Sequence, residues 1–308
     1  MSTLTSQDWA YLLDPGLRAI FELQRNALAE VSRIPMLFNI ASSNKAIEYD
    51  LSVGGMSDFD EYTGTIEYDS IDQGYRTAYE HVEYAKGFAV ERKLFDDDLY
   101  NIIHSRARRL AVAAMRTREK HAASVFVNAF SASHPGGDGV SLCNDSHPAS
   151  PANPSVTQSN AGTTALSYDA VVATRVLMRA YKDDRGELIS VSPDLLLVPP
   201  QLESTANEIV NTFRGPNSQQ PGTGNYGASI VQDSGIRYVV WDYLSDANNW
   251  FLIDSQLARL YLNWFDRVPL ELAIDPTGDF NLVAKWRAYM RYSYGWSDWR
   301  WVYGHEVT

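Results

Sequence analysis

Apolar and polar positions recur along this chain with two different periods, and the places where the period changes mark its elements. Residues 46–53 keep period two: Ile47, Tyr49, Leu51 and Val53 fall on one face, Glu48, Asp50 and Ser52 on the other. That is the pattern of a half-exposed strand. Gly54-Gly55 breaks it, and a second extended stretch rich in Tyr and Asp covers about 64–84. Together they predict a long, polar, two-stranded ribbon. An isolated hairpin is only marginally stable in water, so this one is expected to lie on something else. Residues 282–296 alternate for longer, with Leu282, Ala284, Trp286, Ala288, Met290, Tyr292, Tyr294 and Trp296 on one face and Lys285, Arg287, Arg291 and Ser293 among those on the other. Period two sustained that far predicts a long strand.

Helical spacing governs other segments. Over 8–31, Leu17, Ile20, Phe21, Leu28 and Val31 recur at helical intervals, with Asp14 as the N-cap, Pro15 in the first helical position, and Pro35 as the stop. Residues 95–131 read as the longest helix. Asp96, Asp97 and Asp98 stand at its start, where negative charge suits the dipole. Leu99, Ile103, Ala107, Leu110, Ala114 and Val125 form its apolar stripe. Such a helix is roughly 50 Å long, the length of a strut rather than of a small compact domain's element. Residues 131–165, with their Gly, Pro, Ser, Asn and Thr clusters, form a loop and a domain boundary. Helices at 168–182 and 201–213 flank the buried strand 195–198, closed by Pro199-Pro200. A Gly-, Asn- and Gln-rich loop covers 214–234, and strands follow at 236–243, 249–254 and 258–274. Helices and antiparallel strands without regular βαβ alternation make the class α+β.

Composition narrows the function. The 308 residues are 45% hydrophobic, ample for a core, and 8 Trp with 18 Tyr favour sheet faces and interfaces. Net charge is −12, the opposite of what a sequence-independent nucleic-acid binder needs. An acidic container, however, does not stick to its contents. The lone Cys143 allows no intrachain disulfide, which fits a reducing compartment. Residues 1–7 lack the basic-then-apolar pattern of a signal peptide, and no apolar run reaches membrane-spanning length. The charge is also uneven. Residues 48–98 hold 14 acidic against 4 basic residues, whereas 105–120 hold Arg106, Arg108, Arg109, Arg116, Arg118 and Lys120 against Glu119 alone. Each patch by itself is an ordinary solvated face. As a pair they suit an acidic arm docking on a basic strut between subunits, because complementary patches steer association and set register.

Catalytic signatures are missing. Cys143 and His147 are four apart but lack the second pair that structural zinc needs, and a buried cysteine beside a loop histidine is the simpler account. The sequence has no His-Glu-x-x-His, no Gly-x-x-x-x-Gly-Lys phosphate loop and no nucleophile elbow. With 38 acidic residues, carboxylate pairs arise by chance. Trp296, Trp299 and Trp301 suit sugar stacking less well than packing of a strand end against a helix.

The order of elements (N-terminal arm, extended ribbon, strut helix, mixed central region, long C-terminal strands) resembles the Hong Kong 97-type major capsid fold of tailed double-stranded DNA phages. Three stretches are similar to segments of such head subunits. They are Asp138-Gly139-Val140 to His147-Pro148, Leu195 to Glu203 (LLLVPPQLE), and Tyr292-Ser293-Tyr294-Gly295 through Asp298-Trp299-Arg300. The resemblance implies an N-terminal arm at 1–45 and an extended loop at 46–92 that overlies a neighbour. It implies a peripheral domain at 93–164 and 266–308, and an axial domain at 165–265. It further implies self-assembly through pentamers and hexamers into a virion shell around DNA contacted non-specifically. No enzyme activity, cofactor or membrane is implied. A portal, a separate scaffolding protein and a cement or decoration protein are the expected partners; because the sequence starts almost directly at the arm, any scaffold is expected to be a separate protein, or the chain to be a processed form. Residues 50–75 contain no lysine, so the covalent cross-link that some relatives form on this loop is not expected. The expected inter-subunit contacts pair Asp58, Asp60, Glu61, Glu67 and Asp69 with Arg106, Arg108, Arg109, Arg116 and Arg118. Two other readings stay open: an encapsulin-like nanocompartment shell and a carbohydrate-active protein.

Overall fold

The structure, a computed structural model, describes residues 9–59, 61, 62, 64, 68, 73–97, 102–211, 230–275 and 283–308. In chain order the elements are α1 (Trp9–Glu30), α2 (Ile34–Leu37), β1 (Asn39–Ser42), β2 (Ile47–Val53), β3 (Gln73–Glu80), β4 (Val82–Glu91), α3 (Arg92–Asp96) and α4 (Ile102–Val127). The short strands β5 (His147–Pro148), β6 (Thr157–Gln158) and β7 (Ala161–Gly162) precede α5 (Tyr168–Arg179), β8 (Leu195–Val198), α6 (Glu203–Asn211) and α7 (Ile230–Asp233). The chain continues through β9 (Arg237–Val240), β10 (Trp250–Ile253), α8 (Ser255–Tyr261), β11 (Leu262–Asp275), β12 (Val283–Trp296) and β13 (Val302–His305).

Two sheets carry the body. The first has the order β1-β11-β12-β4, with β1 parallel to β11 and the other pairs antiparallel. Along β12 the even positions Ala284, Trp286, Ala288, Met290 and Tyr292 are buried, as period-two alternation requires. Opposite them β11 is irregular between Asp266 and Glu271, around Pro269, which cannot donate to the ladder. Helix α1 packs along α4, and both contact this sheet. The second sheet has the order β7-β13-β10-β8-β9. Its strands β8 and β10 are apolar at every position and wholly buried. It draws β7 and β13 from outside residues 165–265. Phe126 of α4 joins the two halves, meeting Trp241, Phe251 and Trp301 edge-on at 5.3–5.9 Å. One hydrophobic core runs through both.

Several boundaries differ from the sequence expectation. Helix α1 runs from Trp9, so Pro15 lies inside it and Asp14 is no cap. The Asp14 carboxylate instead receives Trp286 Nε1–H at 3.2 Å and pairs with Arg18 at 3.1 Å. The expected 95–131 helix is two helices. Asp97 caps the C-terminus of α3, its N–H on the Lys93 carbonyl, and Asp98 lies outside the described residues. The strut is therefore 26 residues, about 39 Å, long. The strand expected over 258–274 begins as helix α8. Asp254 caps it by accepting from the N–H groups of Gln256 and Leu257, and the strand starts at Leu262. Of the loop expected over 214–234, residues 214–229 lie outside the described residues and Ile230–Asp233 is helical.

Candidate assembly surfaces

The antiparallel ribbon of β2 and β3 is the first surface. It leaves the body by two hinges, residues 43–46 on one strand and His81 on the other, and one hydrogen-bonded cluster ties them together. His81 is buried; its Nε2 meets Ser43 Oγ at 3.0 Å and its Nδ1 meets Ser293 Oγ at 2.9 Å. Ser43 Oγ donates to Glu48 at 2.7 Å, and Lys45 Nζ reaches the other Glu48 oxygen at 2.8 Å. The Lys45 and Ser43 bonds hold the Glu48 carboxyl below its ordinary pKa. Burial, then the nearby Arg291, lowers that of His81. Just above the hinge, Tyr79 is buried against Phe265 at 5.1 Å. There Gly137 lets β3 come close: a Cβ on it would sit 2.5 Å from Thr77 Oγ1.

Further out, a turn gripping Gly55 holds the ribbon. The Gly55 N–H donates to Asp184 Oδ1 at 2.8 Å, and Arg185 Nε donates to the Gly55 carbonyl at 2.7 Å. Between hinge and grip lies a cleft of about 390 Å³, lined among others by Ser52, Tyr75, Asp138, Trp296 and Arg300.

The ribbon's faces are inverted relative to an ordinary strand on a core. Its polar side, Glu48, Asp50 and Ser52, is half-buried. Its apolar side is largely bare beyond the half-buried Ile47, with Leu51 46% and Val53 63% exposed and Tyr49 53% exposed under the Arg76 guanidinium, 3.9 Å from its ring. Met56, Phe59, Tyr62 and Tyr68 are exposed beyond it. A contiguous apolar face of this kind marks an interaction site.

Helix α4 is the second surface. Arg108, Arg109, Arg116 and Lys120 are exposed on it. Arg106 is exposed too, but one of its guanidinium nitrogens donates to the Ala89 carbonyl at 3.0 Å. Arg118 is turned inward. It grips Asp266 through two bonds of 2.8 and 3.0 Å and lies over the ring of Trp264 at 4.9 Å. Glu119, the one acid in this stretch, accepts from Ser32 Oγ and from Trp241 Nε1 at 3.1 Å, linking the end of α1 to the second sheet's side. Of the acidic candidates, Asp58 and Glu61 are exposed and meet none of the helix arginines, while Asp60, Glu67 and Asp69 lie outside the described residues. Among the described residues, the acidic candidates and the helix arginines of one chain thus do not meet.

The buried polar and thiol groups singled out in the sequence are tied into the fold. His147 is enclosed, bonded to Asp138 at 2.6 Å and Asn160 at 3.0 Å and stacked on Trp299 at 4.3 Å. Cys143 is buried, and burial pushes its thiol pKa far up, away from reactivity. Trp299 and Trp301 are core residues. Sequence reasoning missed the His81 cluster and the Gly55 grip. The stretch Asp183-Asp184-Arg185-Gly186 carries turn-forming residues, but nothing local ties it to a glycine about 130 residues earlier.

Comparison with known proteins decides the family. A family model described as phage capsid protein matches residues 74–304. The chain belongs to the phage capsid protein family. No curated protein matches it. Solved capsids share its fold at low identity. The capsid structure of the cyanophage P-SCSP1u superposes with a TM-score of 0.60 at 10% identity, over 89% of this chain and 88% of that one. The mature capsid of bacteriophage PhiM1 gives 0.56 at 11%, over 90% and 87%. The capsid of bacteriophage JBD30 decorated with minor capsid protein trimers gives 0.55 at 13%, over 70% and 91%. The fold of this capsid protein is therefore the Hong Kong 97-type α+β fold. As a member of this family it is a capsid shell protein of the virion.

Proposed function

We propose that this protein is the major capsid subunit of a tailed phage, closing through pentamers and hexamers into an icosahedral shell around double-stranded DNA, without catalytic activity. The observation that carries the reading is the ribbon whose apolar face its own chain leaves bare. Heterologous contacts that close on themselves give rings, and a ribbon laid on the next copy is a contact of that type. Residues 1–45 act as the arm, 46–92 as the overlying loop, and 93–164 with 266–308 as the peripheral domain. Residues 165–265, joined by β7 and β13, act as the axial domain. Apolar burial supplies the affinity. The acids Asp58 and Glu61 meeting Arg108, Arg109 and Arg116 of a neighbour supply steering and register. Assembly takes place in the host cytoplasm with a separate scaffolding protein and a portal, and a cement protein reinforces a shell without lysine cross-links. The acidic net charge suits loose, non-specific contact with packaged DNA.

Electron microscopy of the purified protein tests this. Closed shells of megadalton mass are expected; a soluble monomer at all concentrations would sink it. Genes for a terminase and portal beside its own, rather than a cargo enzyme, separate it from a cellular nanocompartment.

A further inference from the structure

We infer that Asp184 and Arg185 are positioning residues for shell assembly: they grip the backbone of Gly55 and so aim the ribbon, with its bare apolar face, at the neighbouring copy. The inference rests on the shell-building reading above. A ribbon rooted only at its hinges, residues 43–46 and His81, swings about them. Gly55 lies eight residues beyond Ile47, about 26 Å along an extended strand. A second attachment there turns a cantilever into a strut fixed at both ends.

The gripping turn is rigid enough for the task. Asp183 Oδ1 accepts the N–H groups of Arg185 and Glu187, each at 2.9 Å, and Gly186 supplies the positive φ (+93°) that closes the turn. Gln158 pairs with both backbone groups of Lys182, at 2.9 and 2.8 Å, and Arg300 Nε bonds the same Lys182 carbonyl at 2.8 Å. The turn is thus anchored to the body at its root. At its tip the two described bonds go to main chain, those of Asp184 and Arg185 to Gly55. A Cβ on Gly55 would lie 2.7 Å from Asp183 Oδ2 and 3.3 Å from Asp184 Oδ1. Body contacts at Tyr79 and at Gly137 against Thr77 hold β3 near the hinge, and from there to the grip the ribbon crosses the 390 Å³ cleft. Fixing the ribbon's direction before it meets a partner removes the cost of ordering it on contact.

The test uses the 308-residue chain: ribbon distances are read with spin labels at V53C and V176C, both exposed sites, while shell yield is read on the unlabelled chain because Val53 lies on the docking face; the native Cys143 is buried and takes no label. The unassembled wild type should give one narrow label-to-label distance. Asp184→Ala with Arg185→Ala should broaden it and cut the yield of closed shells by about tenfold, with the thermal midpoint held within about 3 °C. Asp184→Asn, which keeps an acceptor oxygen, should restore both. A distance that stays narrow in the double variant overturns the inference, as does wild-type shell yield from a loosened ribbon. If the double variant fails to fold, Gly55→Ala carries the test with both gripping residues intact: the same broadening and loss support the inference, and a narrow distance with full yield overturns it. Absence of shells from the wild type is seen before any variant is compared, and it removes the shell-building reading itself.

Discussion

Three buried or half-buried histidines show how single residues set the conditions under which this fold holds. His305 sits on Trp250 at 4.1 Å. It accepts the Thr164 N–H on Nδ1 at 3.2 Å and lies 2.8 Å from Thr174 Oγ1 on Nε2. Because the Thr174 hydroxyl donates to the Ala170 carbonyl at 2.7 Å, Nε2 carries the proton and the ring is neutral. Burial lowers its pKa to about 4, and the pKa values of His81 and His121 move the same way. The unfolded chain takes up a proton near pH 6.5 that the folded chain refuses until about 4. His305 therefore gives its full stability above about pH 6.5 and loses it as pH falls toward 4. The thermal midpoint should drop over that range, and His305→Asn should lower the midpoint at neutral pH while flattening its acid slope; an unchanged slope would exonerate the residue. Arg118 gives a second prediction. Its bidentate pair with Asp266 makes it a stabilising residue, so Arg118→Ala should cost about 2–3 kcal/mol in denaturant unfolding. Nothing local distinguishes Arg118 from the five other cations between 105 and 120. Its partner is 148 residues away, and for that reason the sequence grouped it with the assembly arginines.

At the scale of elements, the exposed face of α4 is the counterpart to that inward pair. Arg108→Glu with Arg109→Glu should leave the thermal midpoint near wild type yet weaken shell formation, most at low salt, because screening mutes surface charge. Light-scattering assembly assays at two ionic strengths separate this from a folding defect. Equal assembly at both would end the steering idea. The core of the first sheet responds differently. Trp286 is buried, stacked on Phe88 at 5.5 Å and bonded to Asp14, so Trp286→Ala should cost about 3–5 kcal/mol. Strand β12 was legible because its alternation holds for a dozen residues on a half-buried sheet. The break between α3 and α4 was not, since the apolar spacing runs on across it. Nor was α8, whose cap Asp254 reads like the polar end of the preceding strand. The ribbon's alternation was read correctly as a strand, but alternation does not say whose surface covers the apolar side. That side faces away from its own chain.

For the molecule as a whole, the order of elements was enough to point to the capsid fold, which is set by the sequence of arm, ribbon, strut and closing strands. What the order concealed is how the second sheet is put together. Its strand β13 lies between β7 and β10, with Gly304 level with Ala161, some 140 residues earlier. Gly304 also packs so near Cys143, Phe130 and Phe251 that a Cβ there would approach them within 3.0 Å or less. Pairings this distant in sequence form late and slowly. A polypeptide still emerging from the ribosome cannot shut this sheet until His305 has been made, and its Trp250 and Phe251 stay uncovered until then. A copy cut short ahead of Val302 would carry that apolar edge open, so the body is sealed only once Val302–His305 is in place.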